Sequence, residues 1–383
     1  MMTPPERSNE GEEPEDSGGL TAGITGLRGR EVAELGEERF AGYVRGATVL
    51  VTGAGGSLGR ALCHRLASLG AGRLVLVDQA EAALVEIQQE LRYEGRFACS
   101  VPVLADLRSA ARARQVITTH RPHAVFHTAA YKLVPIVEAH PIEAAANNVL
   151  ATDTLVQAAA AAGAGRFVLY STDKAIEPES VLGWTKAAAE CIVGTAARRS
   201  PRTRFACVRL GNVLESSGSM LPLFRRQVAS RASVTVTDSR MTRYVMTIAE
   251  TVALAVVAGG LAARGDVFRL DMGRPVSVVD AARAVIADAG QGARGAIEIV
   301  GSRPGEKLHE RLEAPGEPVW ETDQDRVVRS GPRHADPLWL DGELLRLRML
   351  VDAADADGVR VQLERLVERI QVDGTPVHPV GLG

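Results

Sequence analysis

Of the 44 basic residues in this 383-residue chain, four are lysine: Lys132, Lys174, Lys186 and Lys307. Arginine carries the positive charge everywhere else. A lysine can lose its proton near neutral pH when its surroundings depress its pKa, and an arginine cannot. The four lysine positions are therefore candidates for proton chemistry. Two of them belong to one constellation, Ser171-Thr172-Asp173-Lys174 followed by Leu182-Gly183-Trp184-Thr185-Lys186. Asp173 beside Lys174 gives two titratable groups whose pKa values a site could push apart. An alcohol that is to become a carbonyl needs a proton acceptor and a nearby cation that favours the alkoxide.

A second constellation is built for phosphate. The apolar run Thr48–Val51 leads directly into Thr52-Gly-Ala-Gly-Gly-Ser-Leu-Gly59, and a helical pattern follows. Gly53, Gly56 and Gly59 have the G-x-x-G-x-x-G spacing. A tight turn, close backbone approach to a pyrophosphate and close helix–strand packing each call for a residue without Cβ. The helix that opens at Ser57 and Leu58 then points its free N–H groups at the phosphates. Asp78 ends the next apolar run, 19 positions after Gly59, where a carboxylate meets the adenosine ribose hydroxyls. The loop is read as a dinucleotide site. Asp78 would repel a 2′-phosphate, which favours NAD over NADP, although Arg60 beside the loop could meet that phosphate. Asp106, with Leu107 after it, ends the third run and is placed toward the adenine edge.

The elements that must position these residues follow from periodicity. Apolar runs at Thr48–Val51, Leu74–Val77, Val101–Leu104, Ala124–His127, Phe167–Tyr170 and Ala206–Leu210 alternate with helical patterns such as 61–67, 84–91 and 144–161. Strands buried on both faces with helical crossovers predict an α/β fold with a Rossmann-like, doubly wound parallel sheet. Ligands in such sheets sit beyond the carboxyl ends of the strands, which is where Ser171–Lys174 fall. Lys186 lies one helical turn beyond Leu182, so the two share a face. The expected organisation is an acidic, disordered tail over 1–22 and a dinucleotide-binding domain over 23–215. A smaller substrate-binding lobe over 216–335, with crossings back to the sheet, and C-terminal helices over 336–383 complete it.

Composition excludes other classes. With 46% hydrophobic and 24% charged residues the chain is neither disordered nor fibrous overall. A net charge of −3 offers no basic footprint for nucleic acid. No apolar run approaches the roughly 20 residues of a membrane span, and no signal-peptide pattern opens the sequence; a cytoplasmic protein is expected. The four cysteines, Cys63, Cys99, Cys191 and Cys207, stand far apart and read as core thiols, and the eight histidines show no metal-ligand spacing.

These motifs, in this order, resemble the extended short-chain dehydrogenase/reductase superfamily. Within it they resemble the polysaccharide-biosynthesis branch of nucleotide-sugar 4,6-dehydratases and epimerases. The resemblance runs through Leu27-Arg-Gly-Arg30, the glycine loop, His127-Thr-Ala-Ala-Tyr-Lys-Leu-Val-Pro135, Asn147-Asn-Val149, Ser171–Ala175 and Arg209-Leu-Gly-Asn-Val213. It continues through Met241–Tyr244, Leu270–Gly273 and Arg303-Pro-Gly-Glu-Lys307, covering about residues 25–375. It implies that Lys186 holds the nicotinamide ribose and lowers the pKa of the hydroxyl being oxidised, that Thr172 hydrogen-bonds this hydroxyl, and that Asp173 and Lys174 form an acid–base pair. Ala129, Lys132 and Asn148 would border the cofactor. Lys132 and Glu138 would line the substrate cleft with Asn212 and Leu221, and Arg243, Arg303 and Lys307 would grip a nucleotide diphosphate. Relatives assemble, so a homo-oligomer is expected.

The chain also departs from the pattern. The superfamily's Tyr-x-x-x-Lys has Leu182 in the tyrosine position, which moves the base to Asp173 or Lys174, with Tyr131 a further alternative. The branch's Gly-Ser-Arg-Gly-Ser is here Glu215-Ser-Ser-Gly-Ser219, and Glu177 and Ser180 replace asparagines. Three readings remain open. The lead is an NAD-dependent, redox-neutral 4,6-dehydratase of a UDP-N-acetylglucosamine-like hexose. The alternative is an epimerase of a nucleotide sugar or of a nucleotide's ribose. The third is an NAD-binding sensor without catalysis.

Overall fold

The computed structural model describes residues 35–95, 97–289 and 296–373. The acidic tail over 1–22, the Leu27–Arg30 stretch and the end of the chain beyond 373 lie outside the described residues.

Six sequence-predicted strands form as β1 (Thr48–Thr52), β2 (Arg73–Asp78), β3 (Ser100–Leu104), β4 (Ala124–His127), β5 (Arg166–Thr172) and β6 (Arg204–Leu210). They are joined in parallel by β11 (Arg264–Leu270). Two short strands, β14 (Val319–Glu321) and β15 (Val327–Ser330), extend the β11 edge antiparallel. The nine-stranded order is β14-β15-β11-β6-β5-β4-β1-β2-β3. Strand order reverses between β1 and β4, so their carboxyl ends open a crevice.

Each face of the sheet is covered. One core is built on Leu50, Val75, Phe167 and Cys207 and the helices α3 (Ala110–His120), α5 (Ala151–Ala161) and α6 (Val181–Arg199). The other is built on Val49, Val51, Phe126 and Phe268 with α1 (Ser57–Ser68), α2 (Glu81–Gln89) and α8 (Ile248–Leu261). α6 buries residues on every side, because a third layer roofs it. That layer is α10 (Pro337–Asp352) and α11 (Ala356–Asp373), whose Leu340, Leu344, Leu347, Leu363 and Leu366 join the first core. A helix apolar all round must be covered all round, and α6 meets that requirement.

The segment after β6 builds a small lobe. α7 (Met220–Ala229) and α9 (Val278–Asp288) enclose a separate core of Leu221, Phe224, Val234, Val278 and Val285. Three two-stranded pairs, β7–β10, β8–β13 and β9–β12, knit it together. Here β7 is Asn212–Val213, β8 Val234–Val236, β9 Thr242–Arg243, β10 Val245–Met246, β12 Val276–Ser277 and β13 Ile297–Ile299. Within the span expected to form this lobe with crossings back to the sheet, α8, β11, β14 and β15 pack on the main sheet. Among the described residues no helix is long and apolar enough to cross a membrane.

Candidate active site

The glycine loop wraps the end of β1. Gly53 has φ +65°, a left-handed conformation, and a Cβ there would lie 2.9 Å from the Ala129 backbone. A Cβ on Gly59 would lie 2.0 Å from the Gly53 carbonyl oxygen, and one on Gly55 2.3 Å from Ala83 Cβ. The three close approaches leave no space for side chains. Asp78 fastens the loop from β2: Oδ2 accepts from Gly55 N–H at 2.9 Å and Oδ1 from Ala80 N–H at 3.0 Å. Thr128 donates its hydroxyl to the Thr52 carbonyl at 2.6 Å from β4's end.

These residues line a cleft of about 890 Å³, counting the solvent at its mouth. Gly53, Gly56, Ser57, Leu58, Gly59, Asp78, Leu107, Ala129 and Lys132 all face it. Asp106 does not; its carboxylate is held by Arg108 at 2.6 Å. Asn148 lies behind the wall. Its side-chain carbonyl accepts from Tyr131 N–H and its amide donates to Tyr131 carbonyl, both at 2.9 Å, which fixes the strand-to-helix loop. The loop from the small lobe closes one side: Ser217 N–H donates to Ser57 Oγ at 3.0 Å, and Lys132 Nζ donates to Ser216 Oγ at 3.2 Å. Burial draws the Lys132 ammonium's pKa down.

The chemistry-bearing residues converge at the end of β5. Lys186 reaches back from α6 and donates to the Tyr170 carbonyl at 2.8 Å. Burial lowers its pKa to about 8, while Cys207 and Glu190 pull the other way. Leu182, expected in the position of the superfamily's tyrosine, is packed in the core and 3% exposed. Asp173 is 1% exposed. Its Oδ1 accepts from Thr172 Oγ at 2.9 Å and from Lys174 Nζ at 3.0 Å, and its Oδ2 has no partner. Lys174 also donates to Asn212 Oδ1 at 3.2 Å and pairs with Glu310 Oε1 at 3.3 Å. Burial works against the Lys174 cation, but Asp173 and Glu310 outweigh it and raise its pKa.

The substrate-side residues divide. Lys307 lies in this cluster, donating to the Ile176 carbonyl with its Nζ 3.7 Å from Glu310 Oε2. Arg243 is buried, with Nη1 donating to the Thr242 and Leu308 carbonyls at 2.8 and 3.2 Å. Glu138 is occupied structurally: it caps α6 through Val181 N–H at 2.6 Å and pairs with Arg360 at 2.6 Å. Leu221 is fully buried in the small lobe's core, and Arg303 is exposed.

Two groups were not singled out from sequence. One is Glu310, whose signal was an acidic residue three positions after Lys307 in Gly305-Glu-Lys-Leu-His-Glu310. The other is a buried charge network behind β5. Glu190 accepts from Ser171 Oγ at 2.6 Å and pairs with Arg209 at 2.9 Å, and Arg209 pairs onward with Glu317 at 2.7 Å. It braces the residue that precedes Thr172.

Known proteins resemble this chain at the level of this architecture. Capsular polysaccharide biosynthesis protein CapD of Staphylococcus aureus is 41% identical over 291 residues, 76% of this chain and 49% of its own length. The chain thus spans about half the length of that relative. A UDP-glucose 4-epimerase of Rickettsia canadensis is 34% identical over 274 residues, 69% of this chain and 77% of that one. The X-ray structure of Pen from Bacillus thuringiensis superposes with a TM-score of 0.70 at 29% identity, covering 75% of this chain and 88% of that one. The family model described as polysaccharide biosynthesis protein matches residues 49–331, from β1 through β15. With the glycine cleft and the Thr172–Lys186 cluster both inside that span, the chain belongs to the polysaccharide biosynthesis family of extended short-chain dehydrogenase/reductase proteins.

Proposed function

We propose that the chain is an NAD-dependent, redox-neutral enzyme that removes water from a nucleotide-linked hexose. The observation that carries this reading is the Asp173–Lys174 pair, buried at the carboxyl end of β5 with one carboxylate oxygen left free for a partner. Elimination beside a carbonyl needs a base for a C–H proton and an acid for the departing hydroxyl. Asp173 and Lys174 can become both by one internal proton transfer. Moving a proton 3.0 Å from ammonium to carboxylate gives a neutral amine and a carboxylic acid. A bound substrate that excludes water favours that neutral form, because desolvation penalises both charges. Lys174 then takes the C–H proton, and Asp173 gives its proton to the hydroxyl, which leaves as water.

The cleft suits a dinucleotide. The glycine contacts admit a backbone-hugging pyrophosphate at the start of α1, and Asp78 stands at the end of β2 as a ribose acceptor. A nicotinamide dinucleotide bound there supplies a reversible hydride acceptor. Lys186 holds a buried cation that favours the alkoxide of the hydroxyl being oxidised. Thr172 orients that hydroxyl, and its bond to Asp173 gives the proton a path. Arg243 and Lys307 supply cations for a diphosphate.

A second reading, epimerisation, draws on the substrate side. Glu215, in the loop that lacks the branch's arginine, is paired with Arg225 at 2.5 Å and presents no cation. Inversion of a hydroxyl carbon needs no acid for a leaving group. Mass spectrometry of the protein incubated with NAD and a panel of UDP- and dTDP-hexoses and nucleoside triphosphates in D2O separates the two. A product lighter by one water supports dehydration. Unchanged composition at a new retention time supports epimerisation. A panel with neither product overturns both.

A further inference from the structure

The loop after Lys307 carries a carboxylate that the sequence motifs assign no role. Glu310 has a side chain only 2% exposed. Its backbone neighbours are pinned to β9. Thr242 N–H donates to the Leu308 carbonyl at 3.2 Å, Thr242 Oγ meets His309 Nδ1 at 2.9 Å, and Arg243 donates to the same Leu308 carbonyl. From that fixed point Oε1 lies 3.3 Å from Lys174 Nζ, and Oε2, which has no hydrogen-bond partner, lies 3.7 Å from Lys307 Nζ.

We propose that Glu310 is a positioning residue for Lys174, a second carboxylate that holds the lysine's ammonium and sets when it gives up its proton. The proposal deepens the dehydratase reading and rests on it for the meaning of Lys174, but not for its own test. The groups that face Lys174 come from three elements: Asp173 beside it at the end of β5, Arg243 on β9, and Glu310 on the loop with Lys307 behind it. Asn212 contributes a neutral acceptor from β7. Asp173 alone would leave one carboxylate for one ammonium, with Arg243 opposing. The second carboxylate tips the balance toward the cation. It also restricts the ammonium to the space between the end of β5, Asn212 and the loop after Lys307.

The test uses the chain's scarcity of lysine. Trace acetylation with acetic anhydride from pH 7 to 11, followed by peptide mass spectrometry, reads the neutral-amine fraction of Lys132, Lys174, Lys186 and Lys307 separately. No substrate is needed, so the outcome stands apart from any failure of the dehydratase reading. In Glu310→Gln the Lys174-to-Lys186 labelling ratio at pH 9 is expected to rise about tenfold, the change one pKa unit produces. In Glu310→Asp, which keeps the charge but lengthens the pair, it rises by less. An unchanged ratio in Glu310→Gln overturns the proposal. If that variant unfolds, all four lysines accelerate together and Glu310→Asp decides: an unchanged ratio there overturns it equally.

Discussion

The Lys186 ammonium donates to the Tyr170 carbonyl at 2.8 Å, deep between α6 and the end of β5, and among the described residues no carboxylate forms an ion pair with it. A buried cation held by one carbonyl is poorly compensated. Its pKa is accordingly lowered to about 8 by burial.

Replacing Lys186 by methionine should therefore abolish turnover while raising stability. The folded-state pKa lies below the unfolded value. The lysine's penalty is absent above about pH 10.5, grows as pH falls, and is complete below about pH 8. At neutral pH K186M should be more stable by about 3 kcal/mol, from about 1.4 kcal/mol per pH unit. Thermal melts at pH 7 and pH 10 check this, and the advantage should shrink at the higher pH.

Asp173→Asn preserves shape but removes the acid and the anchor of Lys174. Product formation should drop about 10² to 10⁴-fold, with cofactor affinity unchanged, as fluorescence titration with NADH would show. A parallel loss of cofactor affinity would place Asp173 in the cofactor site instead.

A methyl at Gly59 would meet the Gly53 carbonyl at 2.0 Å. The backbone must shift, so Gly59→Ala should lose dinucleotide binding measured by calorimetry. Asp78→Asn should act differently. Asn keeps one of the two acceptors that hold Gly55 and Ala80 N–H, so dinucleotide affinity should fall less than in Gly59→Ala, and discrimination against NADP should weaken because the charge that repels a 2′-phosphate is gone.

His127 sits between Thr52 Oγ at 2.7 Å and Thr152 Oγ at 2.9 Å, and burial lowers its pKa to about 3. The depressed value means stability is full above about pH 6.5 and falls with pH below it. This group alone contributes a slope of about 1.4 kcal/mol per pH unit down to about pH 3. Denaturant titrations of wild type and His127→Gln between pH 4 and 7 should diverge by that slope.

The parallel sheet was legible because each of its first six strands is an apolar run long enough to stand out. The glycine-lined cleft was legible because glycine spacing encodes close approach directly. The strands of the small lobe were not. β7, β9, β10 and β12 have two residues each, too short for any period, and their pairing is set by tertiary contacts. Leu221 illustrates the difficulty: it was expected to line the substrate cleft, and its side chain turns into the lobe's core. Glu138 likewise matched by position, yet its carboxylate caps α6 and pairs with Arg360. Arg360 is distant in sequence, so no local pattern could announce the pair. Glu310 meets Lys174 at 3.3 Å from a loop far along the chain, and a carboxylate between two lysines is visible only once that loop is folded.

The roof of α10 and α11 over α6 sets an order of assembly. On the ribosome α6 emerges long before Ala356, and until α11 arrives its outer face has nothing apolar to rest on. The helix that carries Lys186 must wait, protected by collapse alone, while the whole small lobe is synthesised. The end of synthesis of α11, rather than of α6, is then the moment at which that helix is covered on every side. A chain stopped before Pro337 would bring the glycine loop to completion and still leave the outer face of α6 uncovered.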